Sequence, residues 1–196
     1  MNISLSFSNV FFIQSNEKQN APSWLQRYLP YLKVLQVKQV LEIGCGRGSD
    51  TRVLVEHGYH VTATDFSETA LSIVRQKVPE ATLVLHDTRQ PFPFADRSFD
   101  AVIASLSLHY FEKESMTRIV AEIGRILGPG GLLLVRLNSV NDAEAAKRHP
   151  IERYYYSLDS CRERFADWSE KSLQEITEDY YGKPKVIIEG MFERVL

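Results

Sequence analysis

The sequence predicts an α/β protein, a doubly wound and mostly parallel sheet with helices on both faces. Three observations carry that prediction. Strand-like and helix-like patterns alternate along the chain, the order that parallel strands and crossover helices require. The run Leu132 to Leu137 is apolar without alternation, as expected of a strand buried on both faces. A glycine-rich turn, Gly44-Cys45-Gly46-Arg47-Gly48, joins the first apolar strand to the helix that follows.

Taken in order, Pro22 to Lys33 reads as a helix carrying Trp24, Leu25, Tyr28 and Leu29. Gln39 to Ile43 is a short apolar strand, and Ser49 reads as the N-cap of a helix that stops at Gly58. Tyr59 to Thr64 forms the second strand. Ser67 caps the next helix, whose Leu71, Val74 and Val78 fall on one face. Ala81 to His86 and Phe99 to Ser105 follow as strands, separated by the breaker-rich Gln90-Pro91-Phe92-Pro93-Phe94. From Lys113 to Leu127 a stripe of Met116, Ile119, Val120, Ile123 and Leu127 marks the clearest helix, ended by Gly128-Pro129-Gly130-Gly131. The pattern then lapses from Asn138 to about Ser157, a gap long enough to suggest a functional loop. A helix over Leu158 to Ala166 and two strands, Ser172 to Asp179 and Lys185 to Val195, joined near Gly182, close the chain.

With 196 residues, 44% of them hydrophobic, the chain can bury one full core. A formal charge of -2 provides no general attraction to nucleic acid or anionic lipid, so neither partner is expected. Two cysteines, Cys45 and Cys161, fit no disulfide framework or metal pattern, and no metal is expected. The stretch Ile3 to Ile13 is interrupted by polar residues and too short to span a bilayer. A cytoplasmic protein is the expectation.

The glycine turn narrows the chemistry. A dinucleotide turn reads G-x-G-x-x-G, and here its final position is Ser49. The chain has G-x-G-x-G instead, with Glu42 two residues before the first glycine. A carboxylate there suits a positively charged ligand, such as the amino group of a methionine moiety, and suits a pyrophosphate badly. Asp65 ends the second strand, where it can accept from ribose hydroxyls, and Phe66 beside it can pack on an adenine face. Asp87, at the end of the third strand before Thr88, can accept from an adenine amino group.

The segments VLEIGCGRG, VTATDFS, LHDTRQPFPFADRSFDAVIAS and RILGPGGLLLV resemble the successive motifs of class I S-adenosylmethionine-dependent methyltransferases. The resemblance covers roughly Leu29 to Leu137. It implies a seven-stranded Rossmann-like sheet whose last strand is antiparallel. It also implies S-adenosyl-L-methionine as cofactor, S-adenosyl-L-homocysteine as product, and a small-molecule methyl acceptor. Glu42, Gly44, Gly46 and Gly48 would face the methionine part, Asp65 the ribose and Asp87 the adenine. Asp50, Phe66, Thr88 and Ser105 join them as cofactor-side positions. On this reading one domain spans 1–196: a lid or helix region at 1–35, a cofactor core at 36–137, an acceptor-side loop at 138–157, and a terminal helix and hairpin at 158–196. Met1 to Asn20 departs from the family in lacking a recognisable closing helix.

For the transfer step, His109 and Tyr110 follow the fourth strand and are the catalytic candidates, His109 as a general base. Tyr154, Tyr155 and Tyr156, with Arg148, His149 and Arg153 before them, are placed to shape an acceptor pocket. The alternative function is a silent protein that binds S-adenosylmethionine or S-adenosylhomocysteine as a sensor or partner subunit. A monomer or homodimer is expected.

Overall fold

The computed structural model describes residues 23–180 and 182–195. The readings made on Met1 to Pro22 lie outside the described residues. The strands are β1 (Gln39–Ile43), β2 (His60–Asp65), β3 (Thr82–Leu85), β4 (Phe99–Ser105), β5 (Leu127–Asn138), β6 (Trp168–Tyr180) and β7 (Lys183–Arg194). The helices are α1 (Leu29–Val34), α2 (Ser49–Glu56), α3 (Glu68–Lys77), α4 (Lys113–Ile126) and α5 (Leu158–Arg164). The strands form one seven-stranded sheet in the order β3-β2-β1-β4-β5-β7-β6. Pairing is parallel from β3 to β5. The β7 strand runs antiparallel to both β5 and β6.

Unbroken apolar strands are explained by two cores, one on each face. Leu41, Ile43, Val102, Ala104, Leu133 and Val135 pack with the α4 stripe Met116, Ile119, Val120 and Ile123. The alternate residues Val40, Ala101, Ile103, Leu132 and Leu134 pack with Leu25, Leu32, Leu54, Leu71 and Val74 on the other side. Successive side chains of a strand point to opposite faces, so a strand covered twice is apolar at most positions on both faces. All of these side chains are buried.

Local chemistry moves several expected boundaries. The expected Pro22–Lys33 helix divides into a 3-10 turn, Trp24–Arg27, and α1. Pro30 stands in the first turn of α1 and has no N–H to continue a helix from upstream. Ser49 is not the N-cap of α2. That place belongs to Gly48, whose φ of 80° is the left-handed conformation open to glycine, and no side chain caps the helix. Ser67 does cap α3, accepting from Ala70 N at 3.3 Å. The Gly128-Pro129-Gly130-Gly131 stretch ends α4 but lies within β5 as an irregularity: pairing jumps from Phe99↔Leu127 to Ala101↔Leu132. Pro184 is tolerated near the start of β7, because β5 pairs with that strand only from Ile187 onward. Among the described residues, no helix is long and apolar enough to cross a membrane.

Candidate functional site

The site is built at the carboxyl ends of β1, β2 and β4, where the strand order reverses and helices leave on opposite faces. Between β1 and α2 the chain needs three left-handed residues, and glycine fills each: Gly44, Gly46 and Gly48 have φ of 73°, 53° and 80°. Two of them are closely enclosed. A Cβ on Gly44 would stand 2.6 Å from Ser107 Cβ, and one on Gly48 2.9 Å from Val74 Cγ2. Gly46 differs, because a Cβ there would meet nothing within 4 Å. Its main chain therefore borders open space that a ligand can approach.

Carboxyl groups surround this turn. Glu42, the penultimate residue of β1, is buried and accepts from Thr51 Oγ1 at 2.5 Å. Burial, with Asp50 nearby, pushes its pKa well above the usual range. Asp50, in the first turn of α2, accepts from Trp24 Nε1 at 2.8 Å and from Ser23 Oγ at 3.4 Å. It is also raised by burial, against the hydrogen bond from Trp24 and the nearby Arg136 guanidinium. Asp65 ends β2 and accepts from Gly46 N and Ser67 N, each at 2.9 Å. Its pKa is raised by burial and held back by those amides. Among the described residues no Lys or Arg pairs with Glu42 or Asp65.

The positions expected on the adenine side from the sequence are Phe66, Asp87 and Thr88. Phe66 is 60% exposed, with its ring uncovered beside Asp65. Asp87 is held by Arg89, with Nη2 to Oδ2 at 2.6 Å and Nε to Oδ1 at 2.9 Å, and that hydrogen bonding lowers its pKa. Thr88 follows in the turn closed by Gln90 N donating to Asp87 O at 2.8 Å. Phe92 anchors the breaker loop in the core, stacked near His86 and Phe94. Arg125 fastens the same loop by donating to Phe94 O at 2.8 Å and Phe92 O at 3.0 Å.

On the other side of the turn, Ser105 ends β4 and shares a polar cluster with Asp50 and Arg136. His109 and Tyr110 belong to a 3-10 turn, Leu108–Tyr110, with ring centroids 4.2 Å apart. His109 is only 3% exposed, and its Nδ1 is buried without a hydrogen-bond partner. Burial, helped by the charges of Lys185 and Arg153, pushes its pKa down to about 3. Its carbonyl accepts from Tyr154 N at 2.7 Å, which pins the 138–157 loop to the segment that follows β4. That loop is further held by a parallel bridge between Ser139 and Tyr156.

Sequence reasoning missed a buried acid on β7. Glu189 of β7 is fully buried and accepts from Arg27 Nη2 at 2.6 Å and Tyr28 Oη at 2.8 Å. Arg136 of β5 pairs with Glu178, lies 3.7 Å from Glu189, and stands over the Trp24 ring at 5.2 Å. The available signal was a charge inside each apolar run, Arg136 in Leu132 to Leu137 and Glu189 in Val186 to Met191. Such a charge must be paired to be buried.

A seven-stranded sheet in this order, with its glycine turn and acidic strand ends, defines the class of S-adenosylmethionine-dependent methyltransferases of the class I fold. The family comparison agrees: residues 41–135, just under half of the chain, match the model described as a methyltransferase domain. It is 32% identical to an uncharacterized methyltransferase of Mycobacterium bovis over 116 residues, 59% of this chain and 46% of that one. The match thus spans about half the length of that relative. It is 29% identical to a demethylmenaquinone methyltransferase of Listeria welshimeri over 172 residues, 83% of this chain and 72% of the other. Among solved structures, the N-methyltransferase NodS of Bradyrhizobium japonicum, in complex with S-adenosylhomocysteine, superposes with a TM-score of 0.69 at 20% identity, covering 86% of this chain and 84% of that one.

The cofactor that this class implies fits the residues present. Open space faces Gly46, Ser107 Oγ is a buried polar atom without a partner nearby, and uncompensated carboxyl groups await a cation.

Proposed function

We propose that the chain transfers a methyl group from S-adenosylmethionine to a small-molecule acceptor. The observation that carries this reading is the gathering of Glu42, Asp50 and Asp65 around an open-faced glycine turn, with burial raising all three pKa values. A buried carboxylate without a cation is costly, and a ligand bearing positive charge removes that cost. The cofactor, when bound, supplies an electrophilic methyl on a sulfonium.

The remaining work falls to the chain. Glu42 and the turn from Gly44 to Gly48 receive the amino-acid end. Asp65 keeps lone pairs free beyond the amides it already accepts, enough for two ribose hydroxyls. Phe66 offers its exposed face to the adenine, and Asp87 and Thr88 its edge. An in-line displacement then needs chiefly a well-placed nucleophile and a dry site. His109 is neutral at ordinary pH, so it serves as a hydrogen-bond acceptor that orients an acceptor hydroxyl or amine, with the Tyr110 ring tilted against it.

Calorimetric titration with S-adenosylmethionine, S-adenosylhomocysteine and NADH tests the cofactor. A panel of thiols, amines, phenols, acids and demethylated quinones, the last suggested by the Listeria relative, then tests transfer through S-adenosylhomocysteine release. Both sulfur nucleotides are expected to bind and NADH to be refused. NADH binding with no uptake of S-adenosylmethionine would overturn the proposal.

A further inference from the structure

Two cations at the acceptor end of the sheet are left without an acidic partner. Arg153 lies in the loop pinned to β4 by the Tyr154–His109 hydrogen bond, and its Nε is buried with nothing to donate to. Lys185 stands near the start of β7, beside the exit of β5, where Ser139 N donates to Val186 O at 3.2 Å. It is half-buried, with its Nζ 5.3 Å from the centre of the Tyr180 ring. Among the described residues neither cation has a carboxylate within ion-pairing distance. The nearest acids are committed elsewhere. Asp142 accepts from Glu144 N at 2.9 Å and Val186 N at 2.6 Å, and Glu144 pairs with Lys147 at 2.6 Å. Arg136, the next cation along, is already paired with Glu178.

Both charges act on the buried His109 ring, and Arg153 also acts on Lys185 and on the hydroxyls of Tyr110 and Tyr155. The loop that carries Arg153 and the start of β7 that carries Lys185 both pack on Ser139 at the exit of β5, which bridges Tyr156 and donates to Val186 O, so the two like charges repel each other at the same end of the sheet, beside the aromatic rings of Tyr155 and Tyr180. An anion placed between them relieves that repulsion and satisfies the Arg153 fork.

We propose that Arg153 and Lys185 form an anion-binding subsite of the acceptor pocket, and that the methyl acceptor is a small aromatic acid whose carboxylate they hold beside His109. This rests on the methyltransferase reading and adds the chemical class of the substrate.

The test uses the protein saturated with S-adenosylhomocysteine, titrated with benzoate and with its neutral isostere benzamide. The imidazole nitrogens of His109 are followed by NMR. Benzoate is expected to shift them saturably and to bind at least tenfold more tightly than benzamide. In R153M and K185M the benzoate preference should fall to near parity while S-adenosylhomocysteine affinity stays the same. Equal binding of the two probes to the wild-type protein, or an undiminished preference in both variants, would overturn the inference, and the wild-type comparison decides even if a variant fails to fold. Failure of S-adenosylhomocysteine to bind at all would instead sink the cofactor reading beneath it.

Discussion

Replacing Gly44 and Gly46 separately with alanine distinguishes folding from ligand binding at the turn. Both residues have positive φ, 73° and 53°, so each alanine bears a left-handed penalty of about 1–2 kcal/mol. At Gly46 nothing lies within 4 Å of the new methyl, so the folding cost stops there. At Gly44 the methyl would sit 2.6 Å from Ser107 Cβ, and overpacking adds about 1–3 kcal/mol. The Gly44→Ala protein should therefore lose about 2–5 kcal/mol in urea unfolding, a large share of the ~5–15 kcal/mol typical of a domain. Gly46→Ala should lose much less, yet bind S-adenosylhomocysteine at least tenfold more weakly by calorimetry, because its methyl projects into the ligand's space. Equal stability losses in the two variants would refute the packing argument. Unchanged affinity in Gly46→Ala would refute the position assigned to the ligand.

Three further outcomes are expected. Because the Glu42 pKa is raised in the folded protein, the carboxyl keeps its proton above the ordinary value of about 4.3 and gives it up when a cationic ligand binds. Cofactor affinity should thus climb with pH between that value and the raised one and then level off, with proton release seen calorimetrically in buffers of different ionisation enthalpy; Glu42→Gln should remove most of the release. His109, depressed to about 3, should give no inflection near 6.5 in the pH dependence of turnover, and His109→Ala should lower turnover with little change in cofactor affinity. Because the unfolded chain takes up that proton and the folded one does not, His109 should also cost stability as pH falls below about 6.5, visible as a drop in Tm that His109→Ala lessens. Glu189→Ala strands the Tyr28 hydroxyl and leaves the half-exposed Arg27 to water, which should lower stability by about 1–3 kcal/mol in urea unfolding.

The sheet was legible because its signals are local and redundant. The β4 strand was read residue for residue, and α4 to within one residue, since an apolar run or stripe bounded by breakers leaves little latitude. The glycine turn was legible because three closely spaced glycines need a reason, and their positive φ angles supply it. What could not be read were relations between distant segments. Nothing local links Trp24 to Asp50 or Arg27 to Glu189, since those pairings exist only once the sheet order is set. The N-cap of α2 was misassigned because serine is usually favoured there, whereas the turn's need for a left-handed residue prevails. His109 was read as a candidate base from its residue type and its place after the fourth strand, whereas the burial and the two nearby cations that lower its pKa arise only in the folded chain.

The fastening between the acceptor loop and the sheet uses main-chain atoms: Tyr154 N to His109 O, Tyr156 N to Asn138 O, and Val140 N to Tyr156 O. Side chains at 153 and 155 can therefore be exchanged without unlatching the segment that carries them. Under the proposed function, acceptor preference becomes a quantity that can be retuned by substitution, while methyl-donor recognition, assigned to a turn with no spare room at Gly44 and Gly48, stays as it is.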